Sequence, residues 1–319
     1  MKIKKYNYKK INQYQRKNML KDLALSLNFI LLILLLTVGY IFFPAQTLGK
    51  GKIFKKDTLY VPEVKKDILY IPESKIKAHL LDIYLPENNK NAPVLMFVHG
   101  GGWRSGSKDK KVYQKFASIF ARHGYVTVVP GYRLSGEAKH PAQIEDVASA
   151  FAWIYNNIYK YEGDPKKIFI SGHSAGGHLV SLLALDSYYL NRVNVPEDAI
   201  KGVLALSAVF DVTMMRGQSL KKMAEPVFGT DPSVWKRVSP INYVRSGLPP
   251  FLVLYAQRDT KSLREQAKAF INALREKGNN VKTVELKHAG HLSEMLKNRG
   301  GRNPMEGPMV EFIKGLIAK

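Results

Sequence analysis

From residue 67 onward the chain alternates between short apolar runs and longer stretches in which apolar residues recur every three or four positions. The short runs are "DILYIP" (67–72), "HLLDIYLP" (79–86), "APVLMFVH" (92–99), "YVTVVP" (125–130), "KKIFIS" (166–171), "GVLALS" (202–207), "FLVLYA" (251–256) and "VKTVEL" (281–286). Their length and β-branched content predict strands. Helical periodicity between most of them predicts helices over 109–123, 141–159, 175–189, 262–277 and 305–318. The first two runs lie too close for a crossover helix and should form an antiparallel hairpin. The later strands are apolar almost without interruption, as strands buried on both faces are. The expected architecture is α/β: a mixed, mostly parallel eight-stranded sheet covered by helices on both sides. The segment 208–250 breaks the alternation and carries methionines at 214, 215 and 223. It reads either as the builder of a substrate pocket beyond the sheet's C-terminal edge or as a plain connection.

Upstream the pattern changes. "LALSLNFILLILLLTVGYIFF" (23–43) is 21 residues without a charge, enough at about 1.5 Å per residue to cross a bilayer core of roughly 30 Å. It exceeds a usual signal-peptide core, and the following "PAQTLGKG" offers no small-x-small cleavage site. The expectation is an uncleaved signal anchor, with a cleaved secretion signal as the alternative. Eight Lys/Arg against Asp22 precede residue 44, which places a basic tail (1–22) in the cytoplasm and the rest outside. Between anchor and sheet lies a linker (44–66) with the start of a ten-residue repeat, "KKDTLYVPEV" (55–64) then "KKDILYIPES" (65–74). The catalytic unit is expected over 67–319.

The formal charge is +23, of which the tail and span hold +7. A balance this basic suits anionic surroundings such as lipid headgroups or cell-wall polymers. No zinc-finger spacing, ribonucleoprotein motif or helix-turn-helix signal is present, so nucleic acid is not an expected partner. With no cysteine in 319 residues, disulfides, thiolate catalysis and cysteine metal sites are excluded.

The most informative segment is "FISGHSAGGHL" (169–179), where Gly172-His173-Ser174-Ala175-Gly176 sits between a strand and a helix. A serine on such a turn is held in strained geometry with its hydroxyl above the sheet, and the helix N-terminus behind it favours an oxyanion. Ser174 is the candidate nucleophile. A hydroxyl needs a base that is itself oriented by an acid. Asp259, ending "FLVLYAQRD", is the candidate acid, with Asp211 as rival and Glu285 as a weaker one. His291 in "VELKHAGHLSEM" is favoured as base over His288, which reads as a loop residue.

The glycines of "FVHGGGWRSGSKDK" (97–110) could cradle a phosphate or an oxyanion. A Walker A loop needs Gly-Lys-Ser/Thr, but Gly106 is followed by Ser107-Lys108; from Gly100 the sixth position of a dinucleotide fingerprint is Ser105, not glycine. Their place two strands ahead of the Ser174 strand favours the oxyanion, with backbone N–H groups of Gly101, Gly102 and Ala175 converging on one oxygen. The lysines from Lys108 onward then read as ordinary surface. Trp103 either lines the substrate pocket or packs on the glycine loop, and His173 is a second pocket candidate. His99 reads as a support of the loop. No His/Asp/Glu cluster has metal-ligand spacing, and no cofactor is expected.

Together His99-Gly-Gly-Gly-Trp103, "GYRLSGEAKHPAQIEDV" (131–147), "GHSAGGHL" and the late Asp/His pair resemble the serine esterases of the α/β-hydrolase fold over residues 67–319. The chain is most similar to the carboxylesterase branch with hormone-sensitive-lipase-like HGGG motifs, close to feruloyl-esterase-like and kynurenine-formamidase-like groups. The resemblance implies Ser174, Asp259 and His291 as triad, Gly101, Gly102 and Ala175 as oxyanion donors, and Arg133 and Asp146 as structural. The chain departs in lacking a sizeable cap before residue 67 and in "YAQRDT", where relatives often carry a glycine before the acid. The expected activity is hydrolysis of short-chain acyl, aryl or acetyl esters, small or polymer-linked. The alternatives are amide or formamide hydrolysis, or a non-catalytic surface-binding protein on the same scaffold.

Overall fold

In the run 92–98, Val94, Met96 and Val98 pack into one apolar cluster while Leu95 and Phe97 pack into another on the opposite side. A pleated strand sends alternate side chains to opposite faces, so a continuous apolar run requires cover on both. The computed structural model describes residues 60–87, 90–291 and 303–318 and shows that cover. Its strands are β1 (Val64–Leu69), β2 (Leu80–Tyr84), β3 (Ala92–Val98), β4 (Val126–Pro130), β5 (Gly163–His173), β6 (Ile200–Leu206), β7 (Phe251–Ala256) and β8 (Val281–Leu286). The longer helices are α1 (Lys111–Arg122), α2 (Ala142–Asn157), α3 (Ala175–Leu185), α4 (Lys261–Glu276) and α5 (Glu306–Ile317). α2, α3 and α4 cover one face; α1 and α5 cover the other. In α1, Tyr113, Phe116, Ala117 and Phe120 follow the i, i+3, i+4, i+7 rule and are buried, which is why that stretch is a helix on a sheet.

The strands form one mixed sheet in the order β1-β2-β4-β3-β5-β6-β7-β8. β2 is antiparallel to both β1 and β4, and every pairing from β4 through β8 is parallel. This is the α/β-hydrolase arrangement. Although β3 precedes β5 by two strands in sequence, the two are neighbours in the sheet, with Val98 opposite Gly172. The glycine loop therefore leaves the sheet beside the turn that carries Ser174.

The expected strands and helices are present with shifted ends. β1 ends at Leu69 rather than at residue 72 because Tyr70 turns inward, its hydroxyl donating to the Gly131 carbonyl at 3.0 Å. The helix expected over 175–189 stops at Leu185, where Asp186 accepts from the Tyr188 N–H at 3.1 Å and caps a separate short helix, Ser187–Arg192. Among the described residues no helix is long and apolar enough to cross a membrane. The expected span 23–43, the tail 1–22 and the first half of the first repeat copy (55–59) lie outside the described residues.

Two charge clusters brace the sheet's antiparallel edge. Buried Asp146 on α2 accepts from the backbone N–H of Arg133 at 2.8 Å, from its guanidinium at 2.6 Å, and lies 3.1 Å from His79 Nε2. It ties the loop after β4 to α2, in the structural role expected for it.

The second cluster corrects the surface assignment of Lys108. That lysine is 5% exposed, and its ammonium meets Asp67 at 2.6 Å, Asp82 at 2.8 Å and Asp109 at 3.1 Å. Burial works against the charged form, yet these hydrogen bonds hold its pKa above the ordinary lysine value. Asp82 lies fully buried on β2, and among the described residues its second oxygen finds no donor, so Lys108 is the cation that makes its burial tolerable. Lys108→Met should lower the midpoint of urea unfolding by the equivalent of about 3–5 kcal/mol. Adding Asp82→Asn should recover part of that loss, and a midpoint equal to wild type in the single variant would show that the cluster contributes nothing.

Candidate active site

β5 passes into α3 through one residue. Ser174 has φ 55° and ψ −116°, a region that non-glycine residues occupy only when their surroundings force it. Its N–H donates to the Leu206 carbonyl at 2.8 Å, continuing the sheet, while its own carbonyl accepts from His178 at 3.0 Å, starting the helix. Gly176 is required by close approach: a Cβ there would collide with the carbonyl oxygen of Val98. Removing side chains at that point lets α3 settle against β3 and aim its N-terminus at Ser174.

His291 Nε2 lies 2.9 Å from Ser174 Oγ, and His291 Nδ1 lies 2.7 Å from Asp259 Oδ1. An ionised carboxylate only accepts, so Nδ1 carries the proton and Nε2 is left to accept from the serine hydroxyl. The Asp259 side chain is fully buried, whereas that of His291 is 33% exposed. Burial pushes the Asp259 carboxyl up, but hydrogen bonds from His291 and Ser207 outweigh it and hold the pKa below the usual carboxylate value.

The Ser207 hydroxyl donates to Asp259 Oδ2 and accepts from the Ala256 N–H at 3.3 Å. Sequence reasoning passed over this residue, whose only local signal is a serine directly after an apolar strand. Like Ser174 one strand away, it sits at positive φ, 41°, and its N–H continues the ladder to Leu254 at 2.8 Å.

The rival residues lie elsewhere in function. Asp211 accepts from the backbone of Thr213 at 2.8 Å and caps a turn. His288 is a loop residue whose N–H donates to Gln257 Oε1 at 2.8 Å. That contact gives the glutamine of "YAQRDT" a local use, joining the Asp259 loop to the His291 loop. Glu285 pairs opposite Tyr255 along β8.

The glycine loop after β3 is tightly wound. The Gly101 carbonyl accepts from the N–H of Arg104 at 3.2 Å and of Ser105 at 3.0 Å, and Gly101 has φ 129°. His99 supports it from below, donating from Nδ1 to the Gly100 carbonyl at 2.9 Å and stacking on Tyr132. Burial pushes the His99 pKa down to about 4, so the ring is neutral. Ala175 opens α3, where an N–H has no intrahelical acceptor.

Of the two readings of Trp103 the structure shows the packed one, and it shows His173 buried as well. Trp103 is 1% exposed; its indole N–H donates to His178 Nδ1 at 3.2 Å, and it packs under the loop instead of facing a pocket. His173 is buried too, and its Nε2 donates to the His291 carbonyl at 2.8 Å. It thereby ties the serine turn to the histidine loop.

Residues 81–274 match the BD-FAE family model. The chain belongs to the BD-FAE family. It is 33% identical to the esterase LipQ of Mycobacterium tuberculosis over 257 residues, covering 76% of this chain and 60% of LipQ. It is also 33% identical to the esterase LipC of the same organism over 236 residues, 69% of this chain and 58% of LipC. It thus spans about three-fifths of these relatives' length. Among solved structures, a truncated carbohydrate esterase from gut microbiota superposes with a TM-score of 0.69 at 21% identity, covering 81% of this chain and 98% of the other, a likeness of fold.

In this BD-FAE chain the Ser207–Asp259 bond offers a direct probe. Because the folded-state pKa of Asp259 is depressed, its contribution to stability is present above about pH 4 and is lost as pH falls through the folded value. Ser207→Ala should cost about 1.5–3 kcal/mol at neutral pH. It should also move the onset of acid unfolding to higher pH, read by circular dichroism against pH.

Proposed function

We propose that the chain is a serine hydrolase that cleaves carboxylic esters. Ser174 Oγ attacks the ester carbonyl carbon while His291 Nε2 takes its proton, and Asp259 holds the resulting imidazolium in place. The oxyanion is received by the N–H groups of Gly101, Gly102 and Ala175 at the N-terminus of α3. When the tetrahedral species collapses, the C–O bond to the alcohol breaks and His291 returns the proton to the departing oxygen. Water, deprotonated by His291, then attacks the acyl-enzyme, releasing the acid and restoring Ser174.

The observation that carries this assignment is the continuous chain Asp259–His291–Ser174, at 2.7 and 2.9 Å, ending on a serine held at φ 55°. Relatives named as esterases support it. Short acyl, aryl and acetyl esters are the substrates proposed. A fluorophosphonate probe should label the wild type and not Ser174→Ala, and that substitution should lower kcat by on the order of 10⁶. Equal labelling of both would remove Ser174 from the chemistry, and no labelling of either would favour a binding protein. Faster turnover of a matched amide than of its ester would reassign the substrate class.

The charge-free run 23–43 behind a basic tail supports a catalytic unit held outside the cytoplasmic membrane by an uncleaved anchor. Protease added to intact cells should then digest the hydrolase unit while the chain stays in the carbonate-washed membrane fraction. Recovery as a soluble, N-terminally shortened protein would instead indicate a cleaved signal.

A further inference from the structure

An ester bound at Ser174 has two arms, and the sheet order sorts them. The alcohol oxygen must lie beside His291 Nε2, which returns the proton, and His291 follows β8 on one side of β5. The glycine loop follows β3, on the other side of β5. With the oxyanion on that loop's N–H groups, the acyl arm is the substituent directed away from His291, on the glycine-loop side of β5.

What lies over that loop is part of the connection between β6 and β7. Its stretch 217–228 consists of three short helical turns, Gly217–Ser219, Leu220–Ala224 and Glu225–Phe228. Two anchors hold it down. Arg104, two residues past Gly102, donates from its guanidinium to the Lys222 carbonyl. At the far end Phe228 packs edge-on against Trp103, with ring centroids 5.0 Å apart, while His140 donates to the neighbouring Val227 carbonyl at 3.0 Å.

Between these anchors the Met223 side chain rests on Gly102. A Cβ at Gly102 would stand 3.2 Å from both Cγ and Sδ of Met223, so the thioether is in contact with the backbone proposed to receive the oxyanion. Its neighbours Ala224 and Val227 are buried, but Met223 is 44% exposed. An apolar side chain is thus kept out of the core and presented at the glycine loop. Methionine is unbranched and polarizable, suited to contact with alkyl groups.

We propose that Met223 is the acyl-side wall of this site and limits the acyl group to short chains, longer ones meeting the thioether before their carbonyl reaches Ser174. The inference rests on the ester-hydrolase assignment above. One methylene in an apolar pocket changes kcat/KM by about 10–200-fold, so a wall of this kind is readable in a chain-length series.

The test compares p-nitrophenyl acetate, butyrate and octanoate on the full-length wild type, Met223→Ala, Met223→Trp and Arg104→Ala. The quantity read is the ratio of kcat/KM for octanoate or butyrate to that for acetate, in which the fraction of folded enzyme cancels. Met223→Ala should raise the octanoate-to-acetate ratio by about tenfold or more. Met223→Trp should lower the butyrate-to-acetate ratio, and Arg104→Ala, which frees the covering stretch, should act in the same direction as Met223→Ala. A second series, methyl, butyl and octyl acetate, varies the alcohol; a change confined to it would place Met223 on the other arm and overturn the proposal. Acyl ratios unmoved in both Met223 variants, with hydrolysis intact, would overturn the wall while leaving the ester-hydrolase assignment standing. Hydrolysis of none of these esters by the wild type would overturn both.

Discussion

At the end of β5 the backbone changes from strand to helix within Ser174, and that change is possible only where a second strand leaves room for the helix to start. β3 leaves that room because Gly176 has no side chain to strike the Val98 carbonyl. The contact fixes the height of α3 over the sheet, the direction of its N-terminus, and the position of the Ser174 hydroxyl. It also fixes the glycine loop, since that loop begins where β3 ends and Gly100 lies against the His173 backbone. A larger residue at 176 would displace Ser174 and one side of the proposed oxyanion cradle together. Strain at Ser174 is therefore sustained by packing that the site needs for other reasons.

Two buried acids show how the same fold treats charge differently by place. Asp82 is held by a lysine, which anchors the segment after the glycine loop to the sheet's edge. Among the described residues the Asp259 carboxylate is held by a serine hydroxyl and a one-third-exposed imidazole. A fixed cation there would satisfy the carboxylate and leave it little to offer a histidinium. With Ser207 and His291 as its partners, the acid stays ionised and its charge is directed along the imidazole towards Ser174.

Much of this was legible in the sequence, because β3 to β7 are buried largely on both faces and read as apolar runs, and because the Ser174 turn compresses its steric demands into five adjacent residues. Asp259 and His291 could be placed because each ends a strand in the expected order. Ser207 could not, since its partnership with Asp259 depends on β6 and β7 lying side by side, and a serine after a strand has many uses. Lys108 misled for the opposite reason: within a hydrophilic run it looks like surface, and only the fold brings Asp67 and Asp82, both far upstream, around its ammonium. Trp103 was half legible. Its adjacency to the glycines was plain, but whether it faced inward depended on His178 and Phe228 arriving from other elements.

The site also has a gradient of access that its chemistry would require. Asp259 is closed off, His291 is one-third exposed, and Ser174 opens to the space beside the glycine loop. Excluding water from the carboxylate keeps its pairing with His291 strong, because the attraction grows as the local dielectric falls. In the proposed mechanism, exposing the imidazole's other nitrogen would let an alcohol leave and a water enter by the same route, so that one base serves both half-reactions. His173 contributes to that division: by holding the His291 carbonyl, it secures the loop's backbone from the buried side while leaving Nε2 towards Ser174. The contacts that hold the loop thus lie beneath His291 and its exposed side above it, the arrangement the proposed hydrolysis needs when its second substrate is solvent.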